Sequence, residues 1–490
     1  MSGLEASRVM IRINCSNDLD RRRKKTRKFR HRRLRHDKDG QPCTNFYVCP
    51  RSFTSSPNGD LLTEMKFHLE QHNTDVKTEF LGGLTTFLTM VYIIFVHPSI
   101  LAEAGMERES LITVTCLVVV ISSLLVGLWT NLPFALAPGM GLNAFFTYTL
   151  VLGEGIAWQT ALGIVFISGV LFLLLSFLGL SEKIVDSIPL SLRLAAGAGI
   201  GLFIAFIGMR KMGLIVDDPA TLVRLGHIDG PLLIALVALL IMVVLDQLKV
   251  KGAIMWGIMA GMFGTAFIGE LDLPETIFSA PPSIAPIAMH LDILSALKWT
   301  LLPVIFTFLF IDMFDSIGTV LACSYEAGLI KKDEKLQQMP AVLKADAMAT
   351  IIGSVLGSST TTTYIESASG IASGARTGLS SVFVAIFFLL ALFLSPLIAV
   401  VPDSVVAPAL VLVGAYMFKL IRLLPFENLI DVVPAFLTII LMPLTYSIST
   451  GLAFGFISYA AIALMSGQYR SVSPLLWIVA GGSILMVFFH

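Results

Sequence analysis

The sequence predicts an all-α polytopic membrane protein of about fourteen helices, arranged as two seven-span repeats of opposite orientation. Three observations lead there. Only 14% of the 490 residues are charged and 55% are hydrophobic, with a mean hydropathy of +0.82; a soluble domain averages about 25% charged residues. Apolar stretches of about 20 residues, the length that crosses a bilayer, recur from residue 80 onward. The chain also repeats itself. Glu103-Ala104-Gly105 matches Glu326-Ala327-Gly328 at an offset of 326 − 103 = 223 residues.

The long apolar stretches fall near 80–104, 110–130, 157–180, 190–209, 231–248, 252–270, 297–323, 340–357, 379–399, 404–421, 431–447 and 449–466. Two shorter helices, rich in Gly and Ser, fit near 140–151 and 364–376 and complete the set. Both take third place in their half of the chain. Seven spans per repeat is an odd number, so the second repeat is inverted relative to the first. A last apolar stretch, 474–489, either spans the bilayer or lies in its interface.

Residues 1–73 are expected to be a basic, disordered tail. They lack the apolar core of a signal peptide, and Arg21–His36 is a dense basic run without apolar periodicity. Anionic-lipid and nucleic-acid contact are the alternatives to a plain solvated tail. Met65 is expected to be a sufficient start, since everything informative follows it. The five cysteines (15, 43, 49, 116 and 323) show neither paired metal spacing nor a disulfide framework. Cys116 and Cys323 lie in apolar segments and read as small core residues. No cofactor or metal site is expected.

Loop charge sets the orientation. Lys331, Lys332, Lys335 and Lys344 lie in one loop and Lys249 and Lys251 in another, while 271–296 carries Asp272, Glu275 and Asp292 and no cation before Lys298. The positive-inside rule places the N-terminus and the Lys331 loop in the cytoplasm.

Glu366 is the most informative residue. A carboxylate at membrane depth is costly and marks a functional site. The run before it, Ser358–Thr363, is polar and β-branched, which favours extended backbone. Such backbone is tolerated in a membrane only where it is buried in protein or lines a cavity. The offset of 223 carries Pro138–Phe145 onto Thr361–Ala368, and Asn143 onto Glu366. Paired interruptions at matching places in two halves point to a binding site. The bland reading of Thr363-x-x-Glu366 is a capping box.

Asp312 and Asp315 stand three residues apart and so are expected to share one helix face, in an apolar span. One is expected to bind substrate, the other to carry a proton or support the site. Asn143 offers a donor and an acceptor, suited to a heterocycle or to a tie between helices. The Gly139-x-Gly141 turn admits close backbone approach, with tight helix packing as its plain reading. Thr89 is a candidate contact alongside Tyr92, although helix–helix hydrogen bonding explains both equally well. Phe145 could stack on a planar ligand. His97 is a weaker candidate, and Pro98 is expected to break or kink the helix beside it.

The motifs TTFLTMVYIIFVHPSILAEAGM (85–106), ALAPGMGLNAFFTY (135–148), FIDMFDSIGTV (310–320), GSSTTTTYIESASGIASGARTG (357–378) and MPLTYSISTGLAFGFISY (442–459) resemble the AzgA-like adenine/guanine/hypoxanthine permeases. These form a branch of the nucleobase–cation symporter 2 (nucleobase:ascorbate transporter-like) family. The resemblance runs from about residue 73 to 470. His97 stands where members often carry Asn, and the basic tail lies outside the pattern.

The resemblance implies a purine held between two facing half-helices, coupled to protons or sodium ions, in a multi-pass cell-membrane homodimer. Nucleic acid is not an expected partner. Asn143, Asp312 and Glu366 would form the purine site, with Asp315 close by; Thr89 and Phe145 remain candidate contacts from the residue pattern alone. Gly139, Gly141 and Thr363 would present half-helix backbone. A core domain would comprise 74–181 and 297–400, a gate domain 182–296 and 401–470, and 471–490 would be an addition. An anion transporter or channel of the same general fold is the rival. It would hold its ligand at half-helix N-termini, and a carboxylate at position 366 opposes it.

Overall fold

The computed structural model describes residues 67–269, 271, 276–326 and 336–489. Residues 1–66, the Lys331, Lys332 and Lys335 cluster, Asp272, Glu275 and the second copy of the Glu-Ala-Gly repeat at 327–328 lie outside this set. Ten helices among the described residues are long and apolar enough to cross a membrane, and four more apolar helices are shorter.

The chain begins with α1 (Val76–Met90) and α2 (Ile93–Leu101), two pieces of one span broken at Val91 and Tyr92. Pro98 does not end this span; α2 runs through it. A proline ring clashes with the carbonyl four residues back and leaves it without a donor; here that is Ile94, inside α2, while the break lies nearly two turns before Pro98. Next come α3 (Arg108–Thr130), β1 (Leu136–Pro138) and the half-helix α4 (Met140–Ala144), which widens into a π-helix at Phe145–Gly153. The first half then continues through α5 (Trp158–Phe177), the short α6 (Ser181–Asp186) and α7 (Leu190–Lys211). It ends with α8 (Gly230–Gln247) and α9 (Ala253–Phe267).

A short turn, α10 (Ile293–Ala296), precedes the second half. That half contains α11 (Leu302–Glu326), α12 (Met339–Leu356), β4 (Thr361–Thr363), the half-helix α13 (Ser367–Ala372) and α14 (Gly378–Ala391), extended by α15 (Ser395–Ala399). It closes with α16 (Asp403–Phe418), α17 (Leu429–Thr445) and α18 (Ile448–Met465). The final apolar segment is a helix, α19 (Pro474–Phe489), laid against α18 with Leu476 and Ala480 buried. A hairpin of β2 (Ile215–Asp218) and β3 (Leu222–Leu225) follows α7; the sequence reading placed no element there. Its turn is held by the N–H groups of Thr221 and Ala220, which keep the Asp218 carboxyl below its usual pKa.

Packing sorts these helices into two groups. In one, α14 lies on α1 and α3, and α12 on α3 and α5. In the other, α7 lies on α16 and α17, and α8 on α9 and α16. The end of the expected tail is packed as well: Phe67 and Leu69 are buried against Leu379, and Asn131 Nδ2 donates to the Phe67 carbonyl. Cys116 and Cys323 are buried.

Small residues let the first group close. Gly127 and Gly378 meet where α3 crosses α14, and a Cβ on Gly378 would stand 1.9 Å from the Gly127 carbonyl oxygen. Close backbone approach of this kind drives helix association in lipid. Glu79, fully buried on α1, accepts from the N–H groups of Arg376 and Thr377 at 2.8 and 3.2 Å and so pins the start of α14. Overpacking a tight crossing costs about 1–3 kcal/mol. Gly378→Val is therefore expected to lower the thermal midpoint of the detergent-solubilised protein, while Gly481→Val, in an open position on α19, leaves it unchanged.

Candidate functional site

Two extended segments cross in the interior. β1 and β4 pair antiparallel, with Leu136 opposite Thr363, Ala137 opposite Thr362 and Pro138 opposite Thr361. The last pair is separated by 361 − 138 = 223 residues, the offset of the sequence repeat. Side chains reinforce the crossing. The Tyr364 hydroxyl donates to the Pro138 carbonyl at 2.6 Å, Ala135 N–H donates to Ser367 Oγ at 3.0 Å, and Gly139 N–H donates to the Thr360 carbonyl at 3.0 Å. Gly357, at φ +97°, turns the end of α12 into the second extended segment.

The half-helices leave the crossing differently. Asn143 sits inside α4, whereas Glu366 precedes α13. The offset would start α13 at 363; instead Tyr364, Ile365 and Glu366 form tight turns whose carbonyls accept from residues three further on. No capping box forms: Thr363 Oγ1 is buried with no hydrogen-bond partner, and Glu366 makes no side-chain cap.

A cavity of about 830 Å³ lies against the crossing. Its polar lining includes Tyr92, Asp315, Thr362, Thr363 and Glu366, and Gly141 contributes backbone. The Tyr92 hydroxyl, at the break between α1 and α2, donates to Glu366 Oε1 at 2.6 Å. Across the cavity stand Ile200 of α7 and Tyr416 of α16. A Cβ on Gly141 would meet Ile200 Cγ2 at 2.5 Å, so this glycine also sets how closely α7 approaches α4.

The two acids of α11 part company. Three residues advance a helix by 300°, leaving about 60° between side chains, enough to send them to different neighbours. Asp315 lines the cavity. Asp312 is 1% exposed and turns to α12, accepting from Thr350 Oγ1 at 3.3 Å, with Oδ1 unpartnered. Beside it lies Asp346 of α12, fully buried, accepting from Ser316 Oγ and likewise with Oδ1 unpartnered. Asp346 was missed from sequence, although an acid within an apolar span was the signal that singled out its neighbours.

Asn143 is buried behind the cavity lining. Its Oδ1 accepts from Ser359 Oγ, tying α4 to the opposite extended segment, and its Nδ2 has no partner among the described residues. His97 secures the same segment. Thr115 Oγ1 donates to the Leu111 carbonyl, so His97 Nδ1 must be the donor to Thr115 at 2.8 Å. Nε2 lies within hydrogen-bond distance of Ser358 Oγ, at 3.2 Å. Two further candidates sit outside the lining. Thr89 donates to its own helix, at the carbonyls of Thr85 and Thr86. Phe145 is buried with its ring centroid 4.8 Å from that of Phe308.

Crossed half-helices beside an acid-lined cavity, within an inverted repeat, define a secondary-transporter fold. The solved transmembrane domain of the cyanobacterial bicarbonate transporter BicA superposes with a TM-score of 0.59 at 16% identity, covering 77% of this chain and 97% of that one. This likeness concerns the fold. The Xan_ur_permease model, described as a permease family, matches residues 77–454. The chain belongs to that family; it is a multi-pass membrane permease and not an enzyme.

Among its relatives, a putative permease of Methanocaldococcus jannaschii is 47% identical over 418 residues, covering 85% of this chain and 96% of the relative. The guanine/hypoxanthine permease PbuG of Bacillus subtilis is 43% identical over 426 residues, with coverages of 84% and 96%. The adenine permease AdeP of Escherichia coli is 38% identical over 437 residues, with coverages of 89% and 98%.

The Tyr364–Pro138 hydrogen bond supplies a test of the crossing. Leaving a buried acceptor without its donor costs about 1–3 kcal/mol. Tyr364→Phe is expected to lower the thermal midpoint measurably, while Tyr469→Phe, at an exposed position, has no effect.

Proposed function

We propose that the protein carries purine nucleobases across the cell membrane, with Glu366 as the principal ligand-binding side chain. One observation carries this reading: a carboxylate at the start of a half-helix, oriented by Tyr92 and facing a cavity, in a chain whose relatives are named adenine and guanine/hypoxanthine permeases. Purines are planar and present ring and exocyclic N–H donors. Tyr92 occupies Oε1, which leaves Oε2 of Glu366 for such a donor. Thr362, Thr363 and the backbone at Gly141 offer hydroxyl and amide partners along the same wall.

Asp315 faces the cavity and takes the second direct place. Asp312, with Asp346, forms the acidic layer behind it, and Asn143 holds the opposite half-helix in position. The carrier alternates access by moving a core of α1–α5 with α11–α15 against a gate of α7–α9 with α16–α18. Protonation of an acid at the cavity would lessen the cost of carrying charge through lipid, which favours proton symport. The cytoplasmic N-terminus follows from Lys249 and Lys251 between α8 and α9, and the working unit is a homodimer. Two carboxylates at the cavity oppose an anion as ligand, despite the likeness of fold to a bicarbonate transporter.

A hydrogen bond to a charged group contributes about 1.5–3 kcal/mol, and 1.4 kcal/mol is a factor of about ten in affinity. Glu366→Gln is therefore expected to weaken purine binding tenfold or more and to abolish uptake at unchanged protein level. Uptake of labelled hypoxanthine and adenine, competed by unlabelled purines, pyrimidines and xanthine at two pH values, checks the substrate class and the coupling ion together. Full uptake by the Gln variant would remove Glu366 from the site.

A further inference from the structure

A second polar cluster lies at the far end of α7, away from the purine cavity. Lys211 Nζ is 2.5 Å from Glu103 Oε1 and donates to the Ser99 carbonyl at 2.7 Å and to Ser99 Oγ at 3.0 Å. Its side chain is only 9% exposed. The Tyr148 hydroxyl donates to the same Glu103 oxygen at 3.1 Å. Next to this pair the Tyr446 ring is packed edge-on by Tyr148, Phe203 and Phe206, with centroids 5.8, 5.4 and 5.9 Å away. Arg210 lies over Tyr446, its Cζ 5.6 Å from the ring centroid, and donates to the hydroxyl at 3.3 Å. Tyr446 holds a left-handed φ of +55° in the turn between α17 and α18.

Two properties set this cluster apart. It joins elements of different groups: Glu103 and Tyr148 belong to the α2 and α4 spans, whereas Lys211, Arg210 and Tyr446 belong to α7 and α17. Its side chains Glu103, Tyr148, Arg210, Lys211 and Tyr446 also line a second cavity, separate from the purine cavity. On α7 the lining of the purine cavity stops at Ile200, and that of a smaller polar cavity of about 560 Å³ begins at Ile207. Phe203 and Ile204, both buried, fill the interval.

We propose that the Glu103–Lys211 ion pair and the aromatic cluster at Tyr446 are the outer gate of the carrier, parting and re-forming in each transport cycle. The chemistry suits a reversible latch. Closed, the lysine is shielded, and removing its partner strands a charge. Open, both ions face water, where an ion pair contributes little, so separation is tolerated. The aromatic rings beneath supply the apolar seal that a small planar solute cannot pass. Arg108, which pairs with Asp403 at 3.1 Å and donates to the Val401 carbonyl, makes a second link between the groups. At the opposite end, among the described residues, Lys251 donates to the hydroxyls of Thr85 and Ser373, at 2.9 and 2.7 Å. The proposal rests on the carrier reading but not on the identity of the ligand.

The test uses Ile200→Cys in the purine cavity as reporter. Its labelling by a membrane-impermeant thiol reagent is followed without ligand, in right-side-out and inside-out vesicles. With the latch intact, labelling from the Glu103 face is slow. Glu103→Gln and Lys211→Met should each accelerate it several-fold from that face alone, and the exchanged pair E103K/K211E should restore the slow rate. Elution profile and thermal midpoint report whether each variant is folded, and Glu103→Gln, which keeps the side-chain size, serves if Lys211→Met is not. Unchanged labelling in a folded Glu103→Gln variant, or equal acceleration from both faces, overturns the gate. Because no purine is present, a failed gate and a failed substrate assignment remain separate results.

Discussion

Backbone inside a membrane has no water to satisfy it, and each unpaired N–H or C=O there costs several kcal/mol. Two of this chain's three helix interruptions leave extended backbone at membrane depth, whose polar groups must be satisfied internally. The chain satisfies them by pairing the breaks with each other. β1 and β4 supply donors and acceptors across the crossing, and the side chains of Tyr364, Ser367 and Thr350 take up backbone groups at its edges. Neither extended segment is viable alone, so the two halves of the chain are interdependent at this point. α4 starts directly beyond the end of β1, whereas the tight turns at Tyr364, Ile365 and Glu366 separate the end of β4 from α13.

The crossing also explains why polar side chains gather around it. Ser358, Ser359 and the threonines from 360 to 363 are buried, an arrangement that lipid-facing helices would not tolerate. His97 and Asn143 each bind a serine of this segment from the opposite half. Such a scaffold fixes the start of α13, and with it the position of Glu366. Tyr92 then fixes the carboxylate itself from the broken first span. Thus three helix interruptions, in α1–α2, before α4 and before α13, meet at one carboxylate.

The long spans, the two interrupted segments and their correspondence were legible in the sequence, because lipid imposes apolar length and the repeat imposes a constant offset. The paired register falls on that same offset at Pro138 and Thr361. Side-chain direction was less legible. Spacing put Asp312 and Asp315 near one face, but 60° of helix rotation divides them between α12 and the cavity. Thr89 and Phe145 are polar and aromatic in suitable places, yet one is engaged by its own helix and the other by Phe308. Contacts between distant segments carry no local signature. Tyr92 on Glu366 and Ser316 on Asp346 are of this kind; the β2–β3 hairpin is local, but its residues show no strong alternation.

α7 links the site to the rest of the molecule. Its first half lines the cavity as far as Ile200, and its last turn carries Arg210 and Lys211 to the proposed latch. Between them its small residues lock it to the second group: a Cβ on Gly201 would meet the Gly414 carbonyl at 2.7 Å, and one on Gly208 the Ala407 carbonyl at 2.9 Å. On the proposed alternating-access reading, a helix so tightly held against α16 would move with it as one body. On that reading, contacts from α7 to Gly141 and to Glu103 would slide or break when the two groups shift. The first is a van der Waals contact over a glycine, which can slide. The second is an ion pair, which has separate closed and open states. A smooth surface at the ligand and a two-state contact at the outer end let the same helix accommodate movement at one and register it at the other.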